Sequence, residues 1–256
     1  MAVYKANAIV LRRIPLGETD KILTLFTREG GKFNVVAKGA RKTTSKLSGA
    51  TEPLIVLRGL LAEGMNLDVL TQCEITDSFP GLRGDFGLFL RATYACELLD
   101  RLTEERDTSP EAFDLLVATL HLLETARDPD APLHAYELKL MTQAGYEPLL
   151  DMCARCEEPL PEPSDVAAYS PVRGGVLCAG CAQQTAEEPL PLSPESARWM
   201  YFLAYESKPH KVAEACLPPA VEEELRRALR AHLRYRLERD VRSTAFLDAL
   251  HVGAMA

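Results

Sequence analysis

Apolar and polar positions alternate with a period near two up to about residue 75, and after Pro80 they recur every three to four positions. Short β-branched runs at Val3 to Leu11, Lys21 to Thr27, Lys32 to Val36, Leu54 to Leu60 and Leu67 to Ile75 predict five strands. Glu29-Gly30-Gly31 punctuates the second and third as a hairpin turn should, and Glu63-Gly64 breaks the fourth from the fifth. Five short strands in so little chain fit a small barrel, with the oligonucleotide-binding (OB) type leading and another small barrel as the alternative. The helical part begins with Asp85 to Glu105, where Phe86, Leu90, Tyr94, Leu98 and Leu102 fall near one face. Ser109-Pro110 opens a second helix, continued through Leu115 to Leu123, and a third runs from about Pro132 to Ala144 and stops at Gly145. Two later helices are expected, one begun by Ser193-Pro194 and containing Trp199, the other from Ala220 to about Asp240. The expected class is α+β: a barrel domain over residues 1–80, then a helical domain over 81–256 interrupted by an insertion at about 145–185.

The insertion carries the clearest chemistry. Cys153-Ala-Arg-Cys156 and Cys178-Ala-Gly-Cys181 are two C-x-x-C knuckles separated by 21 residues. A two-residue spacer lets both thiolates of a knuckle face one tetrahedral ion, and two knuckles close its shell. Four thiolates leave no open position for water, so one structural zinc per chain is expected, with Cys153, Cys156, Cys178 and Cys181 as ligands. A redox dithiol is the alternative, but neither knuckle sits in a thioredoxin-like β-α context. The segment Glu157 to Ser170 is rich in proline and acid and is expected to build no core of its own, so that the metal would clip it. Cys73, Cys96 and Cys216 lie in apolar patterns and are expected to be buried. None of the five histidines has a spacing that suggests a metal pair or triad.

Composition changes the picture mainly through charge. The chain has 256 residues, is 47% hydrophobic and carries a formal net charge of -8. Seven cysteines are too few for a disulfide scaffold, and no apolar run is long enough to span a bilayer, so a cytoplasmic protein is expected. Residues 1–48 nevertheless hold ten Lys or Arg against Glu18, Asp20 and Glu29, a local excess of +7. Such a face attracts a polyanion whatever the total charge, because the fields act within a Debye length of about 8 Å. Arg12, Arg13, Lys32, Lys38, Arg41, Lys42 and Lys46 are the candidate phosphate contacts, with Phe33 or Tyr4 as a stacking platform unless both pack in the core. No phosphate-cradling G-x-x-x-x-G-K-[ST] loop, dinucleotide fingerprint or nucleophile elbow occurs, and no H-x-E precedes Cys178 as a zinc deaminase would need. A binding protein is expected, not an enzyme.

The stretch "AIVLRRIPLGETDKILTLFTREGGKFNVVAKGARKTTSKL", Ala8 to Leu47, resembles the N-terminal signature of the bacterial RecO recombination-mediator family, with its G-E-x-D turn at Gly17 to Asp20 and K-G-A-R-K at Lys38 to Lys42. The resemblance continues in "GYEPLLDMCARC", Gly145 to Cys156, and "YSPVRGGVLCAGC", Tyr169 to Cys181. Glu157 stands where zinc knuckles favour small residues. The resemblance implies an N-terminal OB fold, a helical C-terminal domain that in many members carries a four-cysteine zinc site, binding of single- and double-stranded DNA, and annealing of complementary strands. It further implies partnership with RecR in helping RecA replace single-stranded DNA-binding protein (SSB), within RecF-pathway repair and at the nucleoid. Near the other end, "LRRALRAHLRYRLERDVR" sets Arg226, Arg227, Arg230, Arg234, Arg236, Arg239 and Arg242 on one expected helix, with a seam of Leu225, Leu229, Leu233 and Leu237. Arg226, Arg227, Arg230 and Arg234 could form a second basic surface for DNA or for the acidic tail of SSB, or simply solvate a packing helix. The reading from another class is a zinc-stabilised adaptor whose basic loop meets RNA or an acidic protein surface.

Overall fold

The period-two segment closes on itself. In the computed structural model, which describes residues 2–237 and 241–254 with side chains as far as 249, five strands form a closed barrel. They are β1 (Val3–Leu16), β2 (Asp20–Thr27), β3 (Gly31–Ala37), β4 (Val56–Ala62) and β5 (Asp68–Asp77), in the order β1-β2-β3-β5-β4. All neighbours are antiparallel except β3 and β5, which run parallel through Val35↔Asp68 and Val36↔Val69; the ring shuts where β1 meets β4. This is an OB-like barrel. Alternate residues point inward: Ala6, Ala8, Val10, Leu23, Leu25, Phe33, Val35, Leu57, Leu61 and Leu70 form its core.

The first strand is longer than its alternation suggests. A register shift between Val10 and Arg12 marks a bulge, after which β1 continues with β2 as an exposed ribbon to Leu16. Ile14 and Leu16 stand in solvent there, which breaks the inward-outward pattern the expected end at Leu11 relied upon.

The chain folds as two units, Met1–His121 with Ala245–Ala256, and Leu122–Thr244. Beside the barrel, the first contains α1 (Pro80–Gly84), α2 (Phe86–Leu102) and most of α3 (Pro110–Thr125). The Asp85 side chain caps α2 by accepting from Leu88 N. The second unit is built on α4 (Asp130–Gln143), whose residues from Ala131 to Leu138 are all buried. It also holds a small sheet of β6 (Val166–Ser170), β7 (Gly175–Cys178) and β8 (Leu190–Pro191), and the helices α5 (Ala179–Gln184), α6 (Pro194–Tyr205), α7 (Pro209–Glu214) and α8 (Pro219–Leu237). The last helix, α9, spans Thr244–Ala254. Ser193 caps α6 through Ser196 N, as its Ser-Pro pair requires. Arg239 and Asp240, expected on the last basic helix, lie outside the described residues.

The insertion corrects one expectation. Leu160, Val166, Ala168 and Tyr169 are buried, and β6 lies between β7 and β8, so the proline-rich acidic segment does contribute to a core. Cys96 is buried as expected, but Cys73 is half-buried and Cys216, on the link between α7 and α8, is exposed. No helix among the described residues is long and apolar enough to cross a membrane.

Candidate nucleic-acid interface and metal centre

The loop after β3 carries Lys38, Arg41, Lys42 and Lys46, and it is tied down at both ends. Gly39, at φ +67°, donates its N–H to Asp20 Oδ1 at 2.8 Å, and the Thr19 hydroxyl donates to the same oxygen at 2.8 Å. Arg41 closes the contact with the β1–β2 turn: its N–H donates to Thr19 O at 2.8 Å and its Nη1 to Gly17 O at 2.5 Å. The Gly39 N–H, then the Thr19 hydroxyl, then Lys38 and Lys42 hold the Asp20 carboxyl below its usual range. At the far end Lys21, buried at the base of β2, donates to Thr51 Oγ1 at 2.9 Å and Glu52 Oε1 at 3.0 Å. Lys38, Lys42 and Lys46 are exposed and make no ion pair among the described residues, so their charge is turned to solvent.

The other expected contacts fall elsewhere. Arg12 Nε pairs with Asp100 at 3.0 Å and Arg13 Nε with Glu52 at 2.8 Å; both side chains keep roughly half their surface. Lys32 turns away from the loop. Its Nζ donates to Asp100 O and to Thr103 O and lies 3.0 Å from Asp100 Oδ1, so it satisfies the carboxyl end of α2. Phe33 is in the barrel core with Arg106 4.5 Å over its ring, and half-buried Tyr4 donates to Asp68. Burial, then the Asp68 hydrogen bond, pushes the Tyr4 phenol up to about 12.

In the second unit the four knuckle cysteines converge, with all four sulfurs within 4.8 Å of one another. A tetrahedral zinc about 2.3 Å from each sulfur asks for separations of about 3.8 Å, so the donor set fits. The first knuckle is folded by its own backbone: Cys153 N donates to Glu158 O and Glu157 N to Cys153 O, both at 2.9 Å, with Glu157 in the left-handed region at φ +61°. It is held against β7 by Ala154 N donating to Val176 O at 2.8 Å. Gly175 permits that approach, since a Cβ there would stand 2.6 Å from Leu149 O. The second knuckle runs from the end of β7 into α5.

Electrostatics favour a cation there. Burial alone would raise the Cys153 thiol, but the N–H groups of Cys156, Cys178 and Arg155 outweigh it and bring it down to about 6. Burial and the neighbouring thiols push Cys181 up to about 12. A site that stabilises the Cys153 thiolate and penalises those of Cys156 and Cys181 is relieved by a divalent ion.

Of the α8 cations, Arg226 pairs with Glu222 at 3.2 Å and with Glu223, and Arg227 Nε lies 3.7 Å from Glu223. These two are balanced within their own helix, and Arg230 and Arg234 follow one and two turns further on. Sequence spacing does not foretell Asp20, Lys21 or Glu52 as supports of the basic loop; the signal available is an acidic residue closing the G-E-x-D turn and a lysine in an apolar strand. Nor does it foretell the buried pair Tyr169 and His232, whose partners come from distant segments.

Comparison with known proteins gives two family matches: Recombination protein O N terminal over residues 1–79 and Recombination protein O C terminal over residues 83–245. The chain is 41% identical over 247 residues to a DNA repair protein RecO from Roseiflexus, spanning 96% of this chain and 85% of that relative. It is 38% identical to a namesake from Symbiobacterium thermophilum, spanning 98% of both chains. A third, from Dehalococcoides mccartyi, is 33% identical over 98% of this chain and 97% of its own.

Proposed function

The chain belongs to the RecO family of DNA repair proteins, and from that premise we propose that it is a non-enzymatic recombination mediator of the RecF pathway. It binds single- and double-stranded DNA, anneals complementary strands, and with RecR helps load RecA onto strands covered by SSB. It works in the cytoplasm, at the nucleoid during repair.

The observation that carries this reading is the basic loop. Lys38, Arg41, Lys42 and Lys46 project from the rim of an OB-like barrel on a scaffold fixed by Asp20 and Lys21. Cations held this way neutralise phosphates and release counterions without reading bases. Arg13 shares Glu52 with Lys21 at the far end of the loop, Arg12 stands beside Asp100, and Lys32, turned to α2, contributes least. Annealing needs no bond chemistry: lowering the repulsion between two polyanions while leaving their bases exposed is sufficient. Arg226, Arg227, Arg230 and Arg234 are the auxiliary basic surface, open to DNA or to the acidic tail of SSB.

The four cysteines take zinc as a structural ion. It would crosslink the two knuckles and thereby hold the β6-β7-β8 sheet.

The test is a titration of the full chain with labelled single-stranded oligonucleotide at several salt concentrations, repeated with RecR and with SSB-coated strands. We expect a steep negative salt slope and a loss of at least tenfold in affinity when Lys38, Arg41 and Lys42 all become Glu. An unchanged slope in that variant would refute the reading.

A further inference from the structure

The stretches Gly145 to Cys156 and Tyr169 to Cys181 contain residues that no metal requires, and several of these converge. Tyr146 and Pro171, with Ala231, Arg234, Tyr235 and Arg236 of α8, line an open cavity of about 760 Å³. The walls are flat and cationic. Tyr146 and Tyr235 are 40% and 48% exposed, and among the described residues no Leu, Ile, Val or Met lines the space. An aliphatic side chain finds little to match there, whereas a planar base finds two π faces and a phosphate finds two guanidinium groups.

Each wall is braced from behind. His232 Nε2 donates to Tyr146 O at 3.0 Å while its Nδ1 accepts from the Tyr169 hydroxyl at 2.6 Å, which fixes the Tyr146 backbone. Arg236 crosses the turn at Gly174, whose φ of +75° favours glycine and where a Cβ would displace Arg236 Nη2 from its present path. Its guanidinium carbon lies 5.5 Å from the Tyr235 ring centroid. Arg236 has no carboxylate partner among the described residues, and its Nε is buried with no hydrogen-bond partner. A braced guanidinium without a counterion among the described residues, beside two exposed rings, is built for an anion that carries an aromatic group.

We infer that this cavity is a second single-stranded DNA site, taking one nucleotide unit with its phosphate on Arg236 and Arg234 and its base on Tyr235 or Tyr146. The inference rests on the DNA-binding reading above and extends it beyond the barrel. A chain with two such sites can hold two strands at once, which adds proximity to the charge neutralisation that the barrel loop supplies.

Photo-crosslinking of the full chain to an oligothymidylate containing 5-iodouracil tests it, with the modified peptides identified by mass spectrometry. We expect crosslinks at Tyr146 or Tyr235, and we expect them to persist when Lys38, Arg41 and Lys42 are Glu. In titrations Tyr235→Ala should weaken binding about tenfold and Tyr235→Phe should restore it, while Arg236→Gln should reduce the salt slope by about one. Crosslinks confined to the barrel, or wild-type affinity in both Tyr235→Ala and Arg236→Gln, would overturn the second site and leave the barrel reading intact. The crosslink on wild-type protein does not depend on any variant folding. If the wild-type chain binds no oligonucleotide at all, the DNA reading itself falls, and the second site with it.

Discussion

The Tyr169 hydroxyl donates to His232 Nδ1 at 2.6 Å, joining β6 to α8 across 63 positions of sequence in a buried contact. The opposite ring nitrogen donates to a carbonyl, so the imidazole is neutral and of one tautomer. Burial first, and Arg236 second, bring the His232 pKa down to about 4.

This pair gives the fold a pH dependence of definite sign. Unfolded, His232 protonates near 6.5; folded, it resists until about 4, so the stability it contributes is present above 6.5 and is lost as pH falls through that window. The full effect is on the order of 3 kcal/mol. His134 acts in the opposite sense: burial is outweighed by Glu137, 2.7 Å away, so its pKa is raised and its contribution fades as pH rises. Urea unfolding at pH 7, 6, 5 and 4 should show a steeper decline for wild type than for His232→Gln. Parallel curves would mean that the imidazole takes up its proton as readily folded as unfolded.

Asp20 offers a test in which simple electrostatics and positioning disagree. Removing a carboxylate from a basic loop should tighten DNA binding if only charge counts. Because Asp20 Oδ1 accepts the Gly39 N–H and fixes the loop, we expect Asp20→Ala to weaken oligonucleotide binding by about three- to tenfold and to speed trypsin cleavage after Lys42 and Lys46. Tighter binding with unchanged proteolysis would show that the loop needs no such anchor.

Lys32 and Lys42 separate support from contact. Lys32→Met leaves the carbonyls of Asp100 and Thr103 without this donor and the Asp100 carboxylate to Arg12 alone, and we expect a loss on the order of 2 kcal/mol with DNA affinity unchanged within about twofold. Lys42→Glu should do the reverse: unfolding midpoint retained, affinity reduced. Denaturant melts and binding titrations on the same two preparations decide the matter.

For the metal, we expect about one zinc per chain by elemental analysis. Changing Cys178 and Cys181 to Ser should abolish it and speed trypsin cleavage after Arg155 and Arg173, both already exposed, since the backbone around them loses its crosslink. Carefully purified protein without metal would remove zinc from the account.

Much of this was legible in the sequence, for identifiable reasons. The barrel strands announce themselves because one face of each is buried, as the strict alternation of β3 displays. The cysteine pairs announce themselves because a tetrahedral site tolerates few spacings. The exposed end of β1 was not legible, because Ile14 and Leu16 face solvent and carry no alternation. The small sheet escaped because β6 has five residues and β8 two, too few for a period to register. Lys32 read as a surface cation because its partner, Asp100, is 68 positions away, and side-chain chemistry alone cannot tell a strut from a contact.

The parallel seam of the barrel has a mechanical consequence. Around the ring, β1–β2, β2–β3, β1–β4 and β4–β5 are each zipped by seven or more residue pairs, while β3 and β5 share only Val35↔Asp68 and Val36↔Val69. The ladder there has the fewest rungs, so thermal breathing should start at that line. Amide protons of the Val35 to Ala37 and Asp68 to Leu70 backbone would then exchange with deuterium ahead of those in the middle of β1, and the cylinder would open as a curled ribbon hinged on its longest strand.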